Sequence, residues 1–231
     1  NGTVGRSGSC RTYYPYGIKV HNGIIYVGSY YDRKIRKIRV SDGACLGSIT
    51  PGNTYAYPRS IDIHNGHLYA GTNYGLFTQN LSNGASKFCP NTNRNQWRYS
   101  YTITGSGSYL YSHYGSYMYR GTLTSSGSNL CPTSERYYRA SNMSYGYGMT
   151  AHPTNPNELY FMSRGRNSIY KITVNSAGNG HTINWQKGRY GYNKQSTATQ
   201  NYFYYPWGIH YDDDNDRLIV SGYSAKKIQV F

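Results

Sequence analysis

Acidic residues are scarce in this sequence, which has 9 Asp and Glu against 24 Lys and Arg and a formal net charge of +15. General acid–base catalysis therefore has few candidate groups, and the sequence offers no Ser-His-Asp arrangement, phosphate-binding loop or pair of carboxylates. These deficits predict a protein that is not an enzyme and needs no cofactor. The positive charge predicts attraction to polyanions, whether nucleic acid, acidic or sulfated glycans, or anionic surfaces.

The sequence also has no long apolar run and few residues that favour helices. The apolar stretches, such as Ile24–Val27, have the length of a strand, well short of the roughly 18 residues that a membrane span needs. Two glutamates, Glu135 and Glu158, beside 27 glycines disfavour long surface helices. Mean hydropathy is low at −0.74, but 30 tyrosines can bury ring surface while their hydroxyls stay solvated. Strands and turns are the expected structure.

The composition favours an extracellular location, because it is rich in Tyr, Gly, Asn and Ser. No signal peptide is visible, so Asn1 is expected to be a mature N-terminus from which a leader has been removed. Three sequons, at Asn1, Asn80 and Asn142, would permit glycosylation of a secreted chain.

Five rows of the sequence align on a short apolar strand that follows a turn. The anchor residues of these strands are Tyr26, Tyr69, Tyr111, Tyr160 and Ile219. The first rows repeat at roughly forty residues, the length of one four-stranded propeller blade. The rows predict a single domain over residues 1–231, with blades at about 11–50, 55–91, 97–133, 145–187, and 204–231 together with 1–10.

Each row has the same internal order. An inner strand leads through a hairpin turn, twice His-Asn-Gly at residues 21–23 and 64–66, to the anchor strand. A third, alternating strand and an outer strand follow. The fifth row ends at Phe231 after three strands, and Thr3–Cys10 is a spare strand at the other end of the chain. The prediction is an all-β, five-bladed β-propeller with four antiparallel strands per blade, closed by the N-terminal strand.

Two short motifs resemble those of NHL-repeat propellers. They are Pro15-x-Gly17-Ile18 and Pro206-x-Gly208-Ile209, and the third strand Ile35–Ile38 is similar to the same repeats. The resemblance implies a propeller with a binding or lyase role. NHL propellers commonly have six blades, whereas the spacing between Tyr160 and Ile219 leaves room for a long polar loop, Gly188 to Tyr204, and not for another blade. In size and blade number the chain is also similar to the small five-bladed lectin propellers of invertebrate defence.

Two kinds of loop are expected to share one face of the propeller. Inter-blade loops join an outer strand to the next inner strand, and middle loops join the second and third strands of a blade. Both kinds are crowded with Tyr, Trp and Arg, including residues 136–139, and these residue types are enriched at binding hot spots. The candidate ligand-binding residues are Tyr31, Arg33, Tyr74, Trp97, Arg98, Tyr114, Arg164, Trp207 and Tyr223.

The four cysteines occupy an equivalent outer-strand position in four blades: Cys10, Cys45, Cys89 and Cys131. Equivalent outer strands of neighbouring blades lie farther apart than the roughly 7 Å between Cα atoms that a disulfide permits. The sequence therefore predicts no disulfide between Cys45 and Cys89 or between Cys89 and Cys131. The cysteines are interpreted as small buried residues, with intermolecular cross-linking as the alternative.

No metal site is predicted. His21, His64 and His152 recur at the first hairpin, where blade symmetry would spread them around a ring, and the histidine set of the lyase branch of NHL-like propellers is not reproduced. The acidic run Asp212–Asp216 is interpreted as a hairpin turn, because it lacks the glycine and terminal glutamate of a calcium loop.

Together these features predict a non-enzymatic secreted protein that binds carbohydrate in a multivalent, lectin-like way, or binds polyanionic glycans, through its Tyr/Arg/Trp-rich face. One alternative is a structural or adhesive protein of the extracellular matrix, with self-association. Another is a nucleic-acid-binding propeller of the NHL type.

Overall fold

The computed structural model describes residues 10–52, 55–90, 97, 99–124, 130–140, 143–188, 205–223 and 226–231. These residues are all-β, with no helix among them. Within these ranges no helix is long and apolar enough to cross a membrane. Several predicted features fall outside the described residues: the closing strand apart from Cys10, the polar loop from 189 to 204, Arg98, and the sequons at Asn1 and Asn142.

The strands follow one another closely along the chain. They are β1 Pro15–His21, β2 Ile24–Ser29, β3 Lys34–Arg39, β4 Cys45–Ile49, β5 Pro58–His64, β6 His67–Thr72, β7 Gly75–Asn80, β8 Ser86–Pro90, β9 Thr102–Ser106, β10 Tyr109–Tyr114, β11 Tyr117–Thr122, β12 Thr133–Arg139, β13 Gly146–Ala151, β14 Glu158–Ser163, β15 Ser168–Val174, β16 His181–Gly188, β17 Pro206–Asp212, β18 Arg217–Gly222 and β19 Lys227–Val230.

Consecutive strands pair antiparallel into five sheets, β1–β4, β5–β8, β9–β12, β13–β16 and β17–β19. The first four have four strands, and the fifth has three among the described residues. These sheets are the blades of a five-bladed β-propeller, which confirms the predicted fold class. Closure of the fifth blade by residues 3–10 stays a prediction.

The two predicted Asn-Gly turns have the left-handed backbone that such hairpins need. Asn22 and Asn65 have φ angles of 48° and 47°, and Gly23 and Gly66 follow with φ of 69° and 72°. Asn and Gly tolerate this left-handed conformation better than other residues, so Asn-Gly fixes the β1–β2 and β5–β6 registers. The acidic run also forms a turn: the Asp212 carboxylate accepts hydrogen bonds from Asn215 at 3.0 Å and Arg217 at 2.7 Å.

The chain forms two compact units. The first contains residues up to Ile103 together with Leu123–Pro132, and the second contains Thr104–Thr122 and Thr133–Phe231. In the first unit, residues of β2, β3, β5, β6 and β7 form one core: Tyr26, Ile35, Ile61, Leu68, Ala70 and Phe77. There β1 and β5 approach so closely that a Cβ on Gly17 would lie 2.6 Å from the Ile61 nitrogen, which explains the glycine of the Pro-x-Gly motif.

The second unit has a larger core between its sheets β9–β12 and β13–β16. Its buried members include Tyr111, Met118, Met149, Leu159, Phe161 and Tyr170. A smaller cluster of Met162, Ile169 and Val220 joins β13–β16 to β17–β19. Tyrosine rings fill positions that aliphatic residues usually occupy, which is how a sequence of low mean hydropathy builds these cores.

The outer strand of the third blade differs from the prediction. It is β12, Thr133–Arg139, so residues 136–139 lie on a strand and not in an inter-blade loop. Cys131 precedes this strand, at the end of the connection from β11, and the segment Leu123–Pro132 belongs to the first unit.

The prediction of no disulfide between Cys89 and Cys131 is wrong, and so is the interpretation of the cysteines as unpaired buried residues. The prediction of no Cys45–Cys89 disulfide is confirmed, because Cys45 has another partner. Cys89 on β8 is bonded to Cys131, with 5.7 Å between Cα atoms. Cys10 is bonded to Cys45, with 5.4 Å between Cα atoms. The distance argument assumed that both cysteines of a pair lie on outer strands, but Cys131 and Cys10 lie in connections that can approach a strand. All four cysteines are therefore paired, and none is free for intermolecular cross-linking.

Removing the Cys89–Cys131 disulfide should lower stability substantially. The bond joins residues 42 apart, and restricting an unfolded chain of that length stabilises the folded state by about 4 kcal/mol. We expect Cys89→Ala/Cys131→Ala to lower the free energy of unfolding by that order, measured by urea denaturation. Mass spectrometry of non-reduced peptides checks the premise, since free thiols at these positions would contradict the pairing.

His113 is a fully buried ionisable group of the second unit. It lies on β10 with its ring 4.6 Å from that of Phe161, and neither ring nitrogen has a hydrogen-bond partner of good geometry among the described residues. Burial lowers the pKa of His113 to about 3, although the nearby backbone of Met143 opposes the shift. His113 is therefore neutral in the folded protein and serves as packing.

We expect the free energy of unfolding to fall as the pH drops below about 6.5. The unfolded chain binds a proton at His113 near the ordinary pKa of 6.5, and the folded chain near 3. The stability that neutral His113 gives is therefore complete above pH 6.5 and is lost progressively toward pH 3. The slope is about 1.4 kcal/mol per pH unit, so stability should be about 2 kcal/mol lower at pH 5 than at pH 7.

His113→Phe is the control for this pH dependence, because its ring does not titrate. Urea denaturation of both proteins at the two pH values should show a shallower loss in the variant. An equal loss in both would mean that other groups cause the acid sensitivity.

Candidate functional site

A tripeptide recurs where each inner strand starts. It consists of Tyr, then Pro, Ser or Gly, then an aromatic residue or Arg. We call it the strand-start tripeptide, and its five copies are residues 14–16 (Tyr-Pro-Tyr), 57–59 (Tyr-Pro-Arg), 99–101 (Tyr-Ser-Tyr), 145–147 (Tyr-Gly-Tyr) and 205–207 (Tyr-Pro-Trp).

The first tyrosine of four copies has a left-handed backbone. The φ angles are 55° at Tyr14, 56° at Tyr99, 52° at Tyr145 and 50° at Tyr205. This conformation is an outlier for a bulky side chain and is disfavoured by roughly 1–2 kcal/mol. Four such residues at one repeat position therefore mark a built feature of the fold.

The left-handed turn joins the inter-blade loop to the middle loop of the same blade. The first amide of the middle loop donates to the carbonyl of the first tyrosine, from Tyr30 to Tyr14 at 3.1 Å, from Arg164 to Tyr145 at 3.0 Å, and from Tyr223 to Tyr205 at 2.9 Å. In these three blades the two kinds of loop therefore meet at one place, as the sequence predicted.

The third residue of the tripeptide lies at a β-bulge in four blades. The register shifts between Pro58 and Ser60, between Gly146 and Gly148, and between Pro206 and Gly208, which leaves one extra residue each time. The equivalent shift in the first blade lies between Pro15 and Ile18. A bulge redirects a side chain out of the strand pattern, and here it turns Arg59, Tyr147 and Trp207 toward the loops.

Arg164 is the centre of one aromatic cluster, in the second unit. Its guanidinium lies 5.0 Å from the Tyr147 ring centroid, 4.7 Å from that of Tyr205 and 5.6 Å from that of Trp207. Its Nη1 donates to the Tyr147 hydroxyl at 3.0 Å. The Trp207 ring continues to that of Tyr223 at 5.5 Å. We call these five residues the Arg164 cluster, and it brings together three predicted residues, Arg164, Trp207 and Tyr223.

Arg59 is the centre of a similar cluster in the first unit. Its guanidinium lies 4.9 Å from the Tyr30 ring centroid, 5.5 Å from that of Tyr99 and 4.7 Å from that of Tyr101. Its Nη2 donates to the Tyr30 hydroxyl at 3.0 Å, whereas its Nε is buried without a hydrogen-bond partner among the described residues. We call these four residues the Arg59 cluster.

Further tyrosines extend the Arg59 cluster toward solvent. The Tyr30 ring lies 5.0 Å from that of Tyr31 and 4.8 Å from that of Tyr57. Arg33 lies over the Tyr57 ring at 5.8 Å, and the Tyr31 ring lies 5.0 Å from that of Tyr14. The predicted residues Tyr31 and Arg33 are thus next to this cluster.

Neither central arginine has a carboxylate partner within the part of the chain that the structure describes. Among the described residues, the salt bridges involve other cations, such as Lys19 with Asp62 and Lys171 with Glu158. Asp32, in the middle loop of the first blade, accepts from Arg36 at 2.9 Å instead. Both guanidinium charges are thus met by ring faces and one phenol, which attract a cation more weakly than a carboxylate does.

The remaining predicted residues lie elsewhere. Tyr74 is exposed and its ring lies 6.0 Å from that of Tyr55. Tyr114 ends β10, half-buried, and pairs with Tyr117. Trp97 is 2% exposed, so in this structure its ring packs in the interior and offers a ligand no surface. Arg98 lies outside the described residues.

Sequence reasoning missed Arg59, Tyr101 and Tyr147, because it searched the loops. Arg59 and Tyr147 lie on inner strands, and Tyr101 directly precedes one. A signal for them was present. The variable position of the Pro-x-Gly motif holds Tyr, Arg or Trp in the blades that carry the motif or a close variant.

Comparison with known proteins identifies the fold but not a family. No protein-family model matches the chain, and no curated protein matches it. Among solved structures, BamB from Moraxella catarrhalis is 12% identical with a TM-score of 0.53, over 95% of this chain and 58% of BamB. A nidogen/laminin complex is 11% identical with a TM-score of 0.59, over 86% of this chain and 70% of the other. This chain therefore spans under two thirds of BamB, and identities this low show similarity of fold alone.

Proposed function

We propose that this protein is a non-enzymatic binding protein for acidic carbohydrates, and that the Arg59 and Arg164 clusters are its two binding sites. The observation that carries the proposal is the environment of the two arginines. Each guanidinium is stacked among three aromatic rings, has no carboxylate partner among the described residues, and lies beside solvent-exposed tyrosines.

The guanidinium groups favour an anionic ligand. A guanidinium presents a planar fork of donors that matches a carboxylate or a sulfate, and it is more weakly hydrated than an ammonium group. The rings around Arg59 and Arg164 hold these forks in place, so little side-chain entropy remains to be lost on binding. The net charge of +15 adds a long-range attraction for polyanions.

The exposed rings favour a carbohydrate. Tyr223, 5.5 Å from Trp207, is 70% exposed, and Tyr31, 5.0 Å from Tyr30, is 49% exposed. Rings of this kind offer rigid, amphipathic contact area at a small entropic cost, and the apolar C–H face of a sugar can stack on them. An acidic sugar would combine both contacts, with its charge on the arginine and its ring on a tyrosine.

The chemistry of the clusters favours binding over catalysis. Among the described residues, the hydrogen-bond and ring partners of Arg59 and Arg164 are tyrosines and a tryptophan, and none is a histidine or a carboxylate. Proton transfer needs a group whose pKa lies near the working pH.

Two similar clusters in one chain would also raise the avidity for a polymer with a repeating acidic unit.

The disulfides support secretion as part of the proposal. Cys10–Cys45 and Cys89–Cys131 are the kind of bond that persists in oxidising compartments. Pairing of all four cysteines also removes thiol cross-linking as the basis of an adhesive role. Nucleic-acid binding is the competitor that the test below distinguishes.

Replacing either central arginine should weaken binding of an acidic glycan. Arg164→Met keeps the apolar stem in contact with its rings but removes the charge and the donors. We expect about 30-fold weaker binding at that site, because a central, well-packed arginine typically contributes 2 kcal/mol or more. Isothermal titration with a heparin-derived oligosaccharide, on the wild type, Arg59→Met, Arg164→Met and the double variant, measures this.

Arg136→Met is the matched control, since it removes the same charge from an exposed position on β12. Its affinity should stay close to that of the wild type. If Arg136→Met weakens binding as much as Arg164→Met does, net charge alone governs the interaction. If single-stranded DNA binds more tightly than the glycan over a range of salt concentrations, the protein is a nucleic-acid-binding propeller.

A further inference from the structure

We propose that Tyr145 is a ligand-contact residue of the Arg164 cluster, where it would carry the ring of the acidic sugar. This inference rests on the proposed function and adds a residue that is not one of the five members of the Arg164 cluster. Three properties of Tyr145 lead to it: its backbone conformation, its exposure and its position beside Arg164.

The backbone of Tyr145 is one that a tyrosine rarely adopts. Its φ of 52° is left-handed, and the cheapest residue at such a position is Gly, followed by Asn or Asp. The chain uses Asn or Asp at the left-handed positions Asn22, Asn65, Asn167 and Asp216. Larger residues take this conformation at Tyr14, Arg33, Tyr99, Tyr205 and Lys226. A bulky aromatic side chain at this position therefore needs a compensating role.

Burial does not supply that compensation. Tyr99 and Tyr205, which share the conformation, pack their rings against Arg59 and Arg164 at 5.5 Å and 4.7 Å. The Tyr145 side chain is instead 66% exposed. A Cβ added to Gly165 would lie 3.1 Å from its Cδ2 atom, so one edge of the ring lies along this loop and much of the rest faces solvent.

The position of Tyr145 points to the ligand. Its carbonyl accepts from the Arg164 amide at 3.0 Å, and its ring lies along Gly165, the residue between Arg164 and the exposed Arg166. A sugar whose acidic group binds Arg164 would therefore lie near the Tyr145 ring. Strain at an exposed residue beside a binding group is the pattern expected of a functional side chain.

Tyr145→Gly separates this role from a structural one, because the two roles predict opposite changes. Glycine relieves the strained backbone, so the thermal midpoint of unfolding should stay the same or rise. The affinity for the heparin-derived oligosaccharide should fall about tenfold if the ring contacts the sugar. Calorimetry of unfolding and isothermal titration give both quantities, and Tyr145→Phe, which keeps the ring, should retain most of the affinity.

Tyr117→Ala is the control for loss of an exposed tyrosine, since Tyr117 is 41% exposed on β11 and has an ordinary backbone. It should leave affinity unchanged. If Tyr145→Gly lowers the thermal midpoint, or keeps full affinity while Arg164→Met loses it, the inference is wrong and the proposed function stands. If Arg164→Met also binds like the wild type, the proposed function fails with it.

Discussion

The hydrogen bond between a middle-loop amide and the carbonyl of a left-handed tyrosine organises the proposed binding surface of this protein. In the pairs Tyr30–Tyr14, Arg164–Tyr145 and Tyr223–Tyr205 it joins the start of an inner strand to the loop between the second and third strands. The following bulge then turns the third residue of the tripeptide out of the strand pattern. Without this turn, Tyr147 and Trp207 would continue the regular alternation of a strand and would not converge on Arg164.

The scarcity of acidic residues shapes these clusters as much as their aromatic content does. An arginine that is paired with a carboxylate is poorly available to a ligand, because breaking a buried pair is costly. Here Arg59 and Arg164 are held by ring faces and a phenol hydroxyl. Such contacts position a guanidinium while leaving most of its charge unneutralised, which is the condition for an anion-binding site.

The repeat of strands does not show the path of the connections between the strands. Cys131 lies in the segment before β12 and not on an outer strand, and its bond to Cys89 ties that segment to β8. A repeat constrains the residues that pair in its strands, because hydrogen bonding fixes their separation. It places no such constraint on loops, whose path depends on contacts that are distant in sequence, and the prediction about the cysteines failed for that reason.

The sequence by itself determined the all-β class, the five blades, the Asn-Gly hairpins and the meeting of the two kinds of loop, since all of these follow from local periodicity and turn chemistry. It also indicated Arg164, Trp207 and Tyr223, among nine residues expected around one face, but not that these three lie together. Only the tertiary structure decided that Trp97 is buried, that Arg59 and Tyr147 point toward the loops, and that Tyr145 is strained yet exposed. These properties depend on a bulge, on the sign of one φ angle and on the packing of neighbouring strands, and none of them leaves a periodic trace in the sequence.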